Sequence, residues 1–487
     1  MTTARIAPIV IASAIGVGVL CGWDPDGRQT AAWVGLSALV LIASIWLMHA
    51  GAQLLRPSRL SIPSFFYIGY FLTIYAPAFV VFTQNTPPTR DVFLLSVESV
   101  MLTVPLGVLF ANHLFRYSRA ENERYFAAPM EERDATPAMF HVTALFMVVA
   151  GVLTAIYFSQ LDWNSIPLFY MFQHPNDVDR LMELREEAFK LFDPRWNAAS
   201  ASVLFYGYLF LRTLLFPFVI LLTFGYFYLT RQARWGWTFA LATLVGGFYA
   251  AASIARAPLA AIFMRLGFFY YLARGGRITR KASVALFALM LAFPVLVTAL
   301  AYGSEGYLDA FGRVGRRFLY TPAEDLYVYF EIFPSHMDYQ YGGTLAKPIL
   351  KLLNLPYFYI ENYVYRYQFP TGIATGHANA AFVSNLHADF GLAGTLVGGF
   401  LAGLMMQGVQ IYLARQRKTV LNVSVYAFMM YAFWVLNFGS ITSVLGTNGV
   451  VFVLLMPFVL RALNTIAGRL AIASARLRLQ AAQGGPR

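Results

Sequence analysis

Between two strongly apolar segments, residues 304–385 hold the densest mixture of Arg, Glu, Asp, His and Tyr in the chain. Arg313, Arg316 and Arg317 fall within about one helical turn, and Arg366 follows further on. Guanidinium groups bind phosphate oxygens through planar, paired hydrogen bonds, so such a cluster suits a pyrophosphate. Contacts to lipid headgroups are the plainer alternative. Glu324 and Asp325 come next, and His377 is the other titratable group near the apolar boundary. A hydroxyl that attacks an electrophile must lose its proton, and a carboxylate or imidazole of suitable pKa can take it. Each of these groups could equally pair with a nearby arginine. Eleven tyrosines lie from Tyr307 to Tyr367; their flat faces suit sugar rings, although membrane interfaces also collect tyrosine.

Three further arginines are placed where a bare charge is costly. Arg256 stands in the short hairpin Ala252-Ser-Ile-Ala-Arg-Ala-Pro258. Pro258 favours a first helical turn, and the positive end of that helix together with Arg256 would attract an anion. Arg212 and Arg265 interrupt apolar segments, where a charge is expected to face a cavity, and Arg265 could instead pair with a carboxylate. Glu98, closer to a segment end, reads as solvated. Asp24-Pro-Asp26 reads as a tight turn and Asp177-Val-Asp179 as a helix start, so no metal site is expected from either pair.

The elements that must carry these residues are apolar. The chain has 487 residues, 58% hydrophobic and 12% charged, with a mean hydropathy of +0.57, which is a composition for lipid rather than water. A net charge of +12 is spread as short basic clusters between apolar segments, the pattern that orients a membrane protein, and nucleic acid is not expected as a partner. The single Cys21 excludes an internal disulfide framework and a cysteine-based zinc site. Twelve segments reach the length of a span: 5–22, 31–54, 62–82, 93–115, 138–160, 200–230, 237–254, 257–273, 282–303, 386–414, 420–440 and 449–468. The first lacks a convincing cleavage site and is expected to be retained. Short loops carry only Arg28, Arg90 and Arg256 on one side and most of the other arginines on the opposite side, which predicts both termini in the cytoplasm. The expectation is an all-α, polytopic single membrane domain over 1–487 with about twelve helices. Two outside loops are too long to be mere connectors, 161–197 with an amphipathic helix at the membrane surface and 304–385 with the candidate chemistry. No internal repeat or inverted pair of broken helices suggests a transporter.

At this point the chain resembles the Wzy-type bacterial polysaccharide polymerases, which lengthen O-antigen, capsule and enterobacterial common antigen. The hairpin carrying Arg256 resembles a Thr-Arg-Ala-Asn turn of the common-antigen enzymes. The order Arg316-Arg317, Pro322-Ala-Glu-Asp-Leu326 and Met337-Asp-Tyr-Gln-Tyr-Gly342 resembles their second long loop. The stretch His377 to Gly394 is similar to a motif shared with O-antigen ligases, displaced by three residues at the histidine. The resemblance implies a GT-C-like, metal-independent glycosyltransferase without a cofactor, in the bacterial inner membrane, with its active site facing the periplasm. Donor and acceptor would be oligosaccharides on undecaprenyl pyrophosphate, and a chain-length regulator would be a further partner. Arg256, Arg316, Arg317, Arg212, Arg366 and Arg265 would hold pyrophosphate, while Glu324, Asp325 and His377 would act on the acceptor. A ligase of the same superfamily and a lipid-linked oligosaccharide flippase are the alternatives.

Overall fold

The computed structural model describes residues 28–50, 59–159, 162–175, 177–190, 207, 210–301, 304–344, 350, 353–370, 377–378 and 380–483. The expected first span at 5–22, the Asp24-Pro-Asp26 turn and Asn379 lie outside them. Among the described residues the chain is all-helical, with no strand. In chain order the helices used below are α1 (Arg28–Ala50), α2 (Ile62–Gln84), α3 (Thr89–Leu114), α4 (Arg119–Ala127), α5 (Pro137–Ser159), α6 (Pro167–Gln173), α7 (Val178–Lys190), α8 (Leu211–Thr230), α9 (Ala233–Ala251), α10 (Arg256–Ala273), α11 (Arg280–Ala301), α12 (Tyr307–Leu319), α13 (Thr321–Ile332), α14 (Ile360–Gln368), α15 (Val383–Ala414), α16 (Val420–Asn437), α17 (Ile441–Leu445) and α18 (Val450–Gln483).

Among the described residues, eight stretches are long and apolar enough to cross a membrane: α2, α3, α5, α8, α11, α15, α16 and Ile441–Ala467, which runs through α17 into α18. The protein is therefore a polytopic, membrane-embedded helical protein. Of the remaining expected spans, α1 contributes the shorter apolar stretch Trp33–His49. Helices also form at α9 and α10, but α9 is diluted by Gly, Thr and Trp and α10 carries Arg256 and Arg265, so neither is as apolar as the eight.

The chain divides into two compact units. The first comprises Met1–Ala127, Phe311–Arg415 and Ala432–Leu445. Its centre is the pair α3 and α15, whose backbones lie so close that a Cβ added at Gly403 would collide with the Val104 carbonyl. Such small-residue contacts are how helices associate where lipid removes the hydrophobic drive. Polar side chains of α15 join it to its neighbours: Gln407 Nε2 donates to Asn112 Oδ1 of α3 at 2.6 Å, and Gln410 Oε1 accepts from the Ile62 amide at 3.2 Å, at the start of α2. Glu98, expected to be solvated, is instead buried and accepts a hydrogen bond from Ser37 of α1.

The second unit comprises Ala128–Ala310, Gln416–Tyr431 and Gly446–Arg487. Phe158, Phe216, Ile220, Tyr249 and Ile262 form its main apolar cluster. The amphipathic helix expected near 176–192 is present as α7. Over its first turns the apolar face is covered by protein, since Leu181 packs with Met171, Ile254, Val297 and Ala301.

Candidate functional site

In the first unit the polar residues of 304–385 gather around α13. Pro322 and Glu324 occupy the first turn of this helix, where a fixed φ and a negative charge are both favoured. The corner leading into it is fixed twice. Arg316 Nη2 lies 3.1 Å from Glu324 Oε1, and the Tyr320 hydroxyl donates to Gln84 Oε1 at 2.9 Å. Glu324 is thus tied to one of the expected pyrophosphate arginines. Asp325, the next residue, is turned about 100° round the helix and meets α14 instead, where Gln368 Nε2 donates to its Oδ1 at 3.3 Å. Burial pushes the Asp325 carboxyl up to about 6, against the opposing pull of the Gln368 hydrogen bond and the Arg317 charge.

A second acid, Glu361, enters from the start of α14. Its Oε1 accepts from Asn385 Nδ2 at 3.3 Å, and burial raises its pKa. The main chain holds it as well: the Ala378 amide donates to the Glu361 carbonyl at 3.0 Å. Within electrostatic reach of both acids is Tyr329, buried, its hydroxyl donating to the Ala378 carbonyl at 2.9 Å. Burial, then the charges of Glu361 and Asp325, keep that phenol protonated. Two acceptor atoms of this cluster, Glu361 Oε2 and Gln368 Oε1, are buried and meet no hydrogen-bond donor among the described residues. The cluster therefore offers oxygens to a ligand that carries donors, as hydroxyl groups do.

His377 stands beside Ala378 and is exposed, with the Tyr359 hydroxyl 3.1 Å from its Nδ1. Arg317 and Arg366 are exposed on α12 and α14. The structure thus brings Arg316 to Glu324 and Arg317 into electrostatic reach of Asp325. Glu361 was not anticipated. The available signal is that Glu361, Val364 and Gln368 share one face of α14, with Val364 buried, so the face turned inward carries polar residues.

The phrases Met337-Asp-Tyr-Gln-Tyr-Gly342 and Ala388-Asp-Phe-Gly391 meet each other. Gln340 and Tyr341 amides donate to the carbonyls of Ala388 and Asp389 at 2.8 and 3.1 Å. Asp389 accepts from the Thr344 amide at 3.2 Å and from its hydroxyl at 2.7 Å. With its oxygens engaged in this way, Asp389 clamps the loop to α15. Gly391 breaks α15 at φ +62°, and a Cβ there would sit 2.9 Å from the Tyr339 hydroxyl oxygen. His387, one turn before that break, stacks on Phe330 with centroids 3.7 Å apart and is held by the Phe333 carbonyl at 3.1 Å.

Arg212, Arg256 and Arg265 belong to the second unit. Arg212 is buried in the wide turn Leu211–Leu215 of α8. Arg256 opens α10, and its Nη1 donates at 2.9 Å to the Thr298 hydroxyl, which donates on to the Pro294 carbonyl. Arg265 is buried with its guanidinium 4.4 and 4.1 Å from the ring centres of Phe428 and Tyr431. Its charge is met by aromatic faces, a stronger interaction away from water. Asp177 accepts from the Tyr170 hydroxyl at 2.6 Å and from the Arg180 amide at 3.3 Å, which is a helix-capping role. Among the described residues no group of three or more His, Cys, Asp or Glu side chains could hold a metal ion.

Compared with known proteins, the chain matches no family, no curated protein and no solved structure.

Proposed function

We propose that the protein is a polysaccharide polymerase that moves a growing glycan from undecaprenyl pyrophosphate to a lipid-linked oligosaccharide repeat unit. In this reading it is a metal-independent, GT-C-type enzyme of the bacterial inner membrane. It has about twelve spans, both termini in the cytoplasm and its site on the periplasmic side. The observation that carries the proposal is the arrangement around Tyr329. Asp325 and Glu361 are each steadied by one amide, with open acceptor oxygens nearby and the arginines of α12 on the preceding helix.

The reaction assigned to this arrangement is a single displacement at the anomeric carbon of the donor. The acceptor hydroxyl oxygen forms the new C–O bond, and the bond to pyrophosphate breaks, leaving its electrons on the phosphate oxygen. Asp325 takes the hydroxyl proton, its raised pKa making it a better base than an exposed aspartate. Glu361 and Gln368 accept hydrogen bonds from neighbouring sugar hydroxyls and orient the acceptor. Arg316, Arg317 and Arg366 stabilise the charge that builds on the leaving pyrophosphate. Glu324 holds Arg316 in place, and His377 with Tyr359 forms an outer polar wall. Arg256, Arg212 and Arg265 keep their assignment to pyrophosphate as a separate expectation.

The test uses the purified protein in liposomes supplied with lipid-linked repeat units. Asp325→Asn should keep lipid-pyrophosphate binding and lose chain growth by a hundredfold or more. Arg317→Lys should weaken the donor side, since lysine keeps charge but loses the paired hydrogen bonds. Full chain growth by a well-folded Asp325→Asn protein would remove Asp325 as the base.

A further inference from the structure

We propose that α12 is a membrane-interface helix that lies along an anionic bilayer surface, independently of the reaction assigned above. The residues of α12 separate cleanly by side. Tyr307, Leu308, Phe311, Val314, Phe318 and Leu319 fall on one face at helical spacing, and Asp309, Arg313, Arg316 and Arg317 on the other. The apolar face is not covered by protein along most of its length: Leu308 is 90% exposed and Phe311 52%. Only near its end is it seated, where Phe318 lies 5.7 Å from Phe438, centre to centre. In the amphipathic helix α7, by contrast, Leu181 and Met182 pack against Met171, Ile254 and Val297, so the uncovered face of α12 is not a general property of such helices in this chain.

The occupant is identified by position and charge. Residues 302–306 alone separate α12 from the end of α11, a membrane-spanning helix. Five residues reach at most about 20 Å, so α12 must begin at or near the membrane surface. An amphipathic helix held there, apolar on one side and arginine-rich on the other, gains by burying its apolar face at the headgroup boundary. Its guanidiniums then lie at the depth of the lipid phosphates, where the headgroup of a lipid-linked pyrophosphate also sits, and the attraction grows with anionic lipid. A lipid surface accounts for both faces of α12, whereas a soluble anion would account only for the arginines.

The experiment places single spin labels along α12 in the full-length protein. Cys21→Ser removes the native thiol, and cysteines replace Leu308, Asp309, Phe311, Arg313, Arg316 and Leu319 one at a time. Each protein is reconstituted in vesicles of phosphatidylethanolamine and phosphatidylglycerol, and access of oxygen and of a water-soluble nickel chelate to the label is measured. Labels at 308, 311 and 319 should favour oxygen several-fold more than labels at 309, 313 and 316, giving a helical oscillation across the bilayer boundary. Replacing phosphatidylglycerol by phosphatidylcholine should shift the labels at 308 and 311 towards water. Nickel access that is high and equal at all six positions would overturn the interfacial placement. An oscillation of equal depth in both vesicle types would overturn the anionic surface as the partner. Neither result depends on polymer synthesis, so failure here and failure of the proposed reaction are separable.

Discussion

Glu324 and Asp325 differ by one position and by almost everything else. Glu324 is partly exposed and paired with Arg316, while Asp325 faces Gln368 under burial that lifts its carboxyl to about 6. A folded-state pKa above the ordinary value of 3.8 means that the native state binds more protons in between. Stability therefore falls as pH rises from about 4 to about 6, by roughly 3 kcal/mol at most. Asp325→Asn should thus leave thermal stability at pH 7 unchanged or slightly higher, and flatten its dependence on pH over that window. Activity should move the opposite way in the wild type, rising through about pH 6 as the base ionises; a profile flat from pH 5 to 8 would argue against Asp325. The sequence shows which residues can titrate in 304–385. It does not show which of two adjacent acids is buried, because that depends on where α14 packs. Glu361 escaped notice for the same reason: its partner Asn385 arrives from a different helix.

At the scale of elements, the site rests on contacts that admit no extra atoms. The α3–α15 crossing depends on the missing side chain of Gly403, and Gly403→Leu should prevent a monodisperse protein in detergent, whereas Leu401→Ala on the exposed side should not. Thr344→Val keeps shape but removes the hydroxyl donor from Asp389, leaving a buried acceptor short of a partner at a cost of about 1–3 kcal/mol. Its expected signature is a lower melting temperature together with faster proteolysis in 338–344. Equal melting and cleavage would mean that the clamp does not hold the loop. Apolar length and periodicity made most helices legible from the sequence. The break at Gly391 was not, since a glycine in a helical pattern has several possible causes, and only the docked Tyr339 identifies this one. The covering of α7 was equally hidden, because an amphipathic pattern gives a face but not what covers it.

For the molecule as a whole, composition already identified a polytopic helical membrane protein, and eight apolar helices support that directly. The arginine bias of short loops predicts that 304–385 faces the periplasm. With Cys21 replaced, a cysteine at Gly342 should react with an impermeant thiol reagent in intact spheroplasts; reaction only after lysis would invert the orientation. A polymerase must join lipid-linked glycan, not merely bind or move it. The most direct measurement is the product of the purified protein in liposomes given defined lipid-linked repeat units, followed by gel separation and quantification of released undecaprenyl pyrophosphate. The proposed reaction gives a ladder spaced by one repeat unit, one undecaprenyl pyrophosphate released per bond formed, and both signals persisting in EDTA. Repeat units that cross the bilayer unchanged, with no ladder and no release, would contradict it.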